Sequence, residues 1–136
     1  MQITKWLQQI VAGRRLIFNL SGAQFQATAY IGTWATLADA ATITPVLTTA
    51  NKFVLTCANN NARAIKPPAN PVSGDSIEIK IINTSGGVLN ATTFDAAIKQ
   101  PASVTYPANG YNRTYRMEYQ GTSWFLVSIS SADCAN

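Results

Sequence analysis

The sequence predicts an all-β domain, a jelly-roll-like β-sandwich of about 8–10 short antiparallel strands behind one short N-terminal helix. Three observations carry this. Thr, Ser, Asn and Ala stand where Glu and Lys usually build helix surfaces, and only 12% of the 136 residues are charged, about half the usual share. From Leu16 onward, apolar residues recur at every second position, the period of a half-buried strand. Gly, Pro and Asn clusters interrupt the chain at intervals of about ten residues, the spacing of turns in all-β domains. With 47% hydrophobic residues, the composition is the reverse of a disordered chain's. At this length about two thirds of the unfolded surface can be buried around one core.

The first segment differs in period. Ile3, Trp6, Leu7, Ile10 and Val11 recur at helical spacing, with Gln2, Thr4, Lys5, Gln8 and Gln9 on the other face and Gly13 as a stop. Arg14 and Arg15 follow beside the negative end of the helix. A helix this short does not hold alone in water, so its apolar stripe needs a support. That support is its own sheet, a neighbouring subunit or a membrane surface. Residues 1–15 are therefore read as an amphipathic arm and 16–136 as the β-domain.

The strands follow in order. Leu16, Phe18 and Leu20 alternate, and Phe25, Ala27, Ala29 and Ile31 continue after Ser21-Gly22. Ala41–Thr48 carries Pro45, which places it at an edge or a bulge. Lys52–Ala58 is a strand, Asn59-Asn60-Asn61 a turn, Ala62–Lys66 a short strand, and residues 67–71 a rigid proline-rich loop. Ser76–Asn83 has the cleanest alternation, with Ile77, Ile79 and Ile81 on one face and Glu78, Lys80 and Ile82 on the other. Ser85-Gly86-Gly87 leads into Val88–Ala91, and proline-bounded strands are expected at Ala97–Gln100 and Ser103–Tyr106. Tyr111–Tyr119 and Trp124–Ser130 form a closing hairpin through Gln120-Gly121-Thr122-Ser123. The pattern contains no strict repeat, linker or second domain.

Composition also excludes chemistry. The chain has no histidine, which removes histidine general bases, His-dependent triads and His-containing zinc sites. The six acids, Asp39, Asp75, Glu78, Asp95, Glu118 and Asp133, show no spacing that selects a catalytic pair. Phosphate-binding glycine loops and calcium-loop patterns are missing. No enzymatic activity and no cofactor or metal is expected. Net charge is +4, but the basic residues are scattered rather than clustered as phosphate binding requires, so nucleic acid is not an expected partner. Four glycosylation sequons, at Asn19, Asn83, Asn90 and Asn112, are what a chain rich in Asn, Thr and Ser contains by chance. Cys57 and Cys134 are expected to be free thiols of a protein assembled in a reducing cytoplasm. Neither a signal peptide nor a membrane span is expected.

The aromatic residues admit two readings. Trp34, Tyr106, Tyr111, Tyr115 and Tyr119 could line a sugar-binding face, because ring faces stack on carbohydrate C–H surfaces. The alternation of Tyr111, Tyr115 and Tyr119 equally fits cross-strand packing. An apolar face of this kind has to be covered by the domain or by a neighbouring subunit.

Several fragments resemble small β-sandwich domains of tailed-bacteriophage virions, which serve as capsid decoration (cement) proteins or end tail fibres and spikes. They are Ala35-Thr-Leu-Ala-Asp-Ala-Ala-Thr-Ile-Thr-Pro45, Asn51-Lys-Phe-Val-Leu-Thr56, Asn112-Arg-Thr-Tyr-Arg116 and Tyr119-Gln-Gly-Thr-Ser-Trp124. The resemblance spans residues 33–130 and implies a homotrimer on the virion, with the major capsid protein as partner. The arm residues Ile3, Trp6, Leu7, Ile10, Val11, Arg14 and Arg15 lie outside it and are expected to grip the shell. Tyr111, Tyr115, Tyr119 and Trp34 are expected to form an intersubunit or receptor face. Two placements stay open: a decoration protein on the head surface, or a tail-fibre or tail-spike component that binds a host glycan. A chain that begins at its own Met1 with a short helix, without a fibre shaft, favours the head.

Overall fold

The computed structural model describes residues 15–20, 23–28, 34–130 and 133–135, the first two stretches by backbone alone. Twelve strands run through them. They are β1 (Arg15–Leu20), β2 (Ala23–Thr28), β3 (Trp34–Leu37), β4 (Thr42–Ile43), β5 (Lys52–Cys57), β6 (Arg63–Ile65), β7 (Ser76–Asn83), β8 (Thr92–Phe94), β9 (Ile98–Lys99), β10 (Tyr111–Tyr119), β11 (Trp124–Ile129) and β12 (Cys134–Ala135). The expected helix lies outside the described residues except for Arg15, which opens β1.

All-β is the class observed, but the strand pairing corrects the expectation of antiparallel strands throughout. β3, β5 and β7 are successive parallel neighbours in one sheet, and β4, β6 and β8 are parallel neighbours in a second. The chain therefore alternates between two sheets, laying each new strand beside the one two elements earlier. That arrangement is solenoid-like rather than a jelly roll. A parallel neighbour cannot be reached by a tight hairpin, and here the strand laid in the opposite sheet makes the crossover. The larger sheet then turns antiparallel: β10 pairs with β7, β11 with β10, and β9 joins β11 in parallel. β12 pairs with the start of β10. β1 and β2 form an antiparallel ribbon.

One core lies between the sheets, and β7 runs through its middle. Isoleucine suits a pleated strand because its branched side chain has few rotamers to lose. Ile77, Ile79 and Ile81 all face inward and are fully buried, while Glu78, Lys80 and Ile82 are half-buried on the outer face. Register sets the inward rows. Ile79 lies between Phe53 and Tyr115, and Ile77 pairs with Met117, whose other neighbour is Leu126. Ile43, Ile65 and Phe94 of the smaller sheet complete the same cluster. The β10–β11 hairpin turns at Gly121, whose φ of 83° suits glycine.

Other differences have local causes. Trp34–Leu37 is a strand the alternation did not single out, held at the sheet edge by its pairing with β5. Only Thr42–Ile43 of Ala41–Thr48 is paired, before the Thr44-Pro45 step, and Pro45 has no N–H to contribute to a ladder. Val88–Ala91 is not a strand. Asn83 anchors the preceding turn, donating to the carbonyls of Gly87 and Pro107 and accepting from Ser85, and pairing resumes at Thr92. Ser103–Tyr106 joins neither sheet, but its Thr105 carbonyl accepts the Tyr115 hydroxyl at 2.7 Å.

Ile79 touches the inward rows on both sides, so truncation there leaves a cavity that the sheet cannot close. Ile79→Ala is expected to cost about 2–5 kcal/mol of stability, read as a lowered urea midpoint with an unchanged slope.

Candidate functional site

The period-two alternation that fills the core also builds the outer face of the larger sheet. Trp34, Lys52, Glu78, Arg116 and Ser128 occupy one row across β3, β5, β7, β10 and β11. Thr36, Val54, Lys80 and Thr114 form the row beside it. Trp34, on the edge strand, is 38% exposed. The ammonium groups of Lys80 and Lys52 lie 4.8 and 5.6 Å from its ring centroid, within the range of cation–π attraction. Lys52 is also paired with Glu78 at 3.5 Å, and Arg116 with Glu118 at 2.6 Å. The face is thus polar, close to neutral and partly apolar, with two cations over its aromatic ring.

The expected aromatic face is divided by the pleat. Tyr115 is fully buried, with its ring against Phe94 and Tyr106, and burial raises its hydroxyl pKa. Burial also pushes the Tyr106 hydroxyl up to about 12. Tyr119 is half-buried against Trp124 and donates to the Gly121 carbonyl at 2.7 Å. Tyr111 is exposed at the far end of β10. Trp34 stands on the opposite face, and its companions are Lys52 and Lys80. The sequence places both lysines at outward positions of their strands, but only the parallel pairing of β3, β5 and β7 brings them to the tryptophan. Of the arm, only Arg15 lies within the described residues.

The acids are engaged in structural contacts. Arg63 of β6 is buried, and its guanidinium donates to both Asp39 carboxylate oxygens, to the Asn61 and Asn59 carbonyls and to the Asn59 side chain. These bonds hold the Asp39 carboxyl below its ordinary pKa. Asp133 accepts from Arg113 and from the Ala108 N–H, which lowers its pKa likewise. Buried Asp75 accepts the Val72 N–H at 2.8 Å, and Asp95 the Ala97 N–H at 2.9 Å. Cys57 is buried, its thiol pushed up to about 11, while Cys134 is exposed, and neither forms a disulfide. Among the described residues no group of three or more His, Cys, Asp or Glu side chains could hold a metal ion. No helix among them is long and apolar enough to cross a membrane.

No family model matches this chain, and no curated protein or solved structure was found to be similar to it.

The Asp39–Arg63 pair generates a pH dependence of known sign. A carboxyl with a lowered folded-state pKa adds stability that is complete above its unfolded value and is lost as pH falls through the folded one. The pair's contribution to the thermal unfolding midpoint is expected to be complete and independent of pH near neutrality, and to be lost as acid protonates Asp39. Asp39→Asn leaves the buried guanidinium without its counter-charge and is expected to cost about 3 kcal/mol near pH 7, with a smaller loss on further acidification. Calorimetry of both proteins across the acid range checks this.

Proposed function

We propose that this chain is a structural protein of a tailed-bacteriophage virion: a homotrimeric capsid decoration (cement) protein that sits on the head surface and stabilises the assembled shell. The observation that carries the reading is the outer sheet face. Most of its charges are paired at close range, and Trp34, Val54, Ile82 and Phe125 are exposed or half-buried among them. Such a surface suits contact with other protein surfaces, whose interface centres are depleted in charge and enriched in aromatic residues. The resemblance of residues 33–130 to virion β-domains supports the same reading. The N-terminal segment acts as an arm, with Ile3, Trp6, Leu7, Ile10 and Val11 as its apolar grip and Arg14 and Arg15 meeting acidic capsid groups.

The mechanism is linkage. A ligand that binds only the assembled lattice of major capsid protein stabilises that lattice by mass action. Three arms on one trimer engage together, which raises the effective affinity without any new contact. The protein is made in the host cytoplasm and acts without a cofactor and without catalysis.

Quantitative mass spectrometry of purified particles tests the assignment. A copy number approaching that of the major capsid protein is expected. A handful of copies would move the protein to the tail, and its absence would overturn the virion reading. The arm has its own test. Trp6→Ala with Leu7→Ala is expected to leave the thermal unfolding of the β-domain in place and to cost about 2 kcal/mol or more of capsid affinity, measured by co-sedimentation with undecorated shells. Unfolding of the domain, or normal decoration, would overturn the role given to the arm.

A further inference from the structure

We propose that the outer face of the seven-stranded sheet binds a carboxylate-bearing oligosaccharide, with Trp34 as the stacking platform and Lys52 and Lys80 as the cations that meet its acid groups. The inference concerns the free protein, because a protein partner seated on this same face would exclude the glycan.

Two requirements have to coincide for an acidic sugar. Its C–H faces need an exposed aromatic ring, and its carboxylates need ammonium or guanidinium groups beside that ring. Trp34 is 38% exposed, on the strand that ends the larger sheet among the described residues. The ammonium groups at 4.8 and 5.6 Å reach its ring from two different strands, β7 and β5.

The charges on this face favour an anion. The Trp34 row and the positions around it carry the cations Lys52, Lys80 and Arg116 and the acids Glu78 and Glu118. Glu78 is matched by Lys52 and Glu118 by Arg116. Lys80 has no acid within ion-pair distance among the described residues, and the ring is its contact. A cation–π contact at an exposed site is weak. The flexible lysine stem can therefore turn its ammonium onto a ligand carboxylate and uncover the ring for the sugar. Thr36 and Thr114, in the next row, offer hydroxyls on the same face.

The size of the face sets the class further. From Trp34 to Arg116 the row crosses three strand spacings, about 14 Å, so several sugar units are accommodated rather than one. An open, flat row suits a chain lying across the sheet and not a small molecule that must be enclosed.

Glycan binding by the full-length protein tests this, with oligogalacturonate as the probe, neutral galacto-oligosaccharides as the uncharged control and polyglutamate as the anion without sugar rings. Saturable binding to oligogalacturonate, weakened by salt and absent with both controls, is expected. Trp34→Ala is expected to weaken it about tenfold or more. Lys80→Gln is expected to weaken it and to flatten its salt dependence. Both variants are expected to keep the wild-type unfolding midpoint, because neither side chain belongs to the core. Equal binding of polyglutamate would reduce the face to a simple cationic patch and overturn the proposal. So would the failure of all three probes, or full binding by either variant. If Trp34→Ala is unfolded, Lys80→Gln decides alone.

Discussion

A buried guanidinium constrains the stacked part of this fold. Arg63 sits on the middle strand of the three-stranded sheet and is shut away from water. A charge in that position is tolerated only when it is paired and every donor is used. Asp39, from the arc between β3 and β4, supplies the counter-charge, and Asn59 and Asn61, from the arc between β5 and β6, supply oxygens. The clamp therefore joins two successive turns of the chain at the corner where they pass from one sheet to the other. It fixes how β4 lies on β6, and with that how β3 lies on β5.

The parts of the fold legible in the sequence are those that depend on period alone. Ser76–Asn83 and Tyr111–Tyr119 stand as strands with the boundaries their alternation predicts, because a one-residue slip would turn Ile77, Ile79 and Ile81 out to solvent. Pairing partners were legible only at the closing hairpin, where Gln120-Gly121-Thr122-Ser123 returns β10 directly into β11. A short apolar strand followed by an Asn- or Gly-rich turn reads the same whether the next strand returns beside it or crosses to another sheet. The turn at Asn59-Asn60-Asn61 illustrates this: it leads out of β5 into β6, which lies in a different sheet. Unequal lengths of chain separate Trp34, Lys52 and Glu78, so the stacked turns leave no regular repeat to find.

The candidate site follows the same division. Tyr111, Tyr115 and Tyr119 share a parity and so one face, but only the middle one lies over the core, with ring neighbours in Phe94 and Tyr106, while the other two stand at the strand's ends. Exposure of Trp34 follows from its place on an edge strand. Lys52 and Lys80 are ordinary outward lysines in the sequence, and they acquire a role only from the parallel register that brings them over the indole. Arg63 was counted among scattered basic residues, because nothing local marks a cation that will be buried against an acid distant in the chain.

Parallel stacking gives the two faces of the sheet a degree of independence. Along β5 and β7 the inward positions, Phe53, Leu55, Ile77, Ile79 and Ile81, carry the packing and leave little room for change. The outward positions between them, Lys52, Val54, Glu78, Lys80 and Ile82, are half-exposed and set the chemistry of the surface. Substituting an outward residue alters that chemistry without opening a cavity, because its side chain points away from the core. A sheet of this kind can change what it binds while keeping its fold, and it does so by rows rather than by segments. In this chain the row that begins at Trp34 and the row beside it combine an exposed ring with the lysines Lys52 and Lys80, and no continuous stretch of the sequence contains that combination.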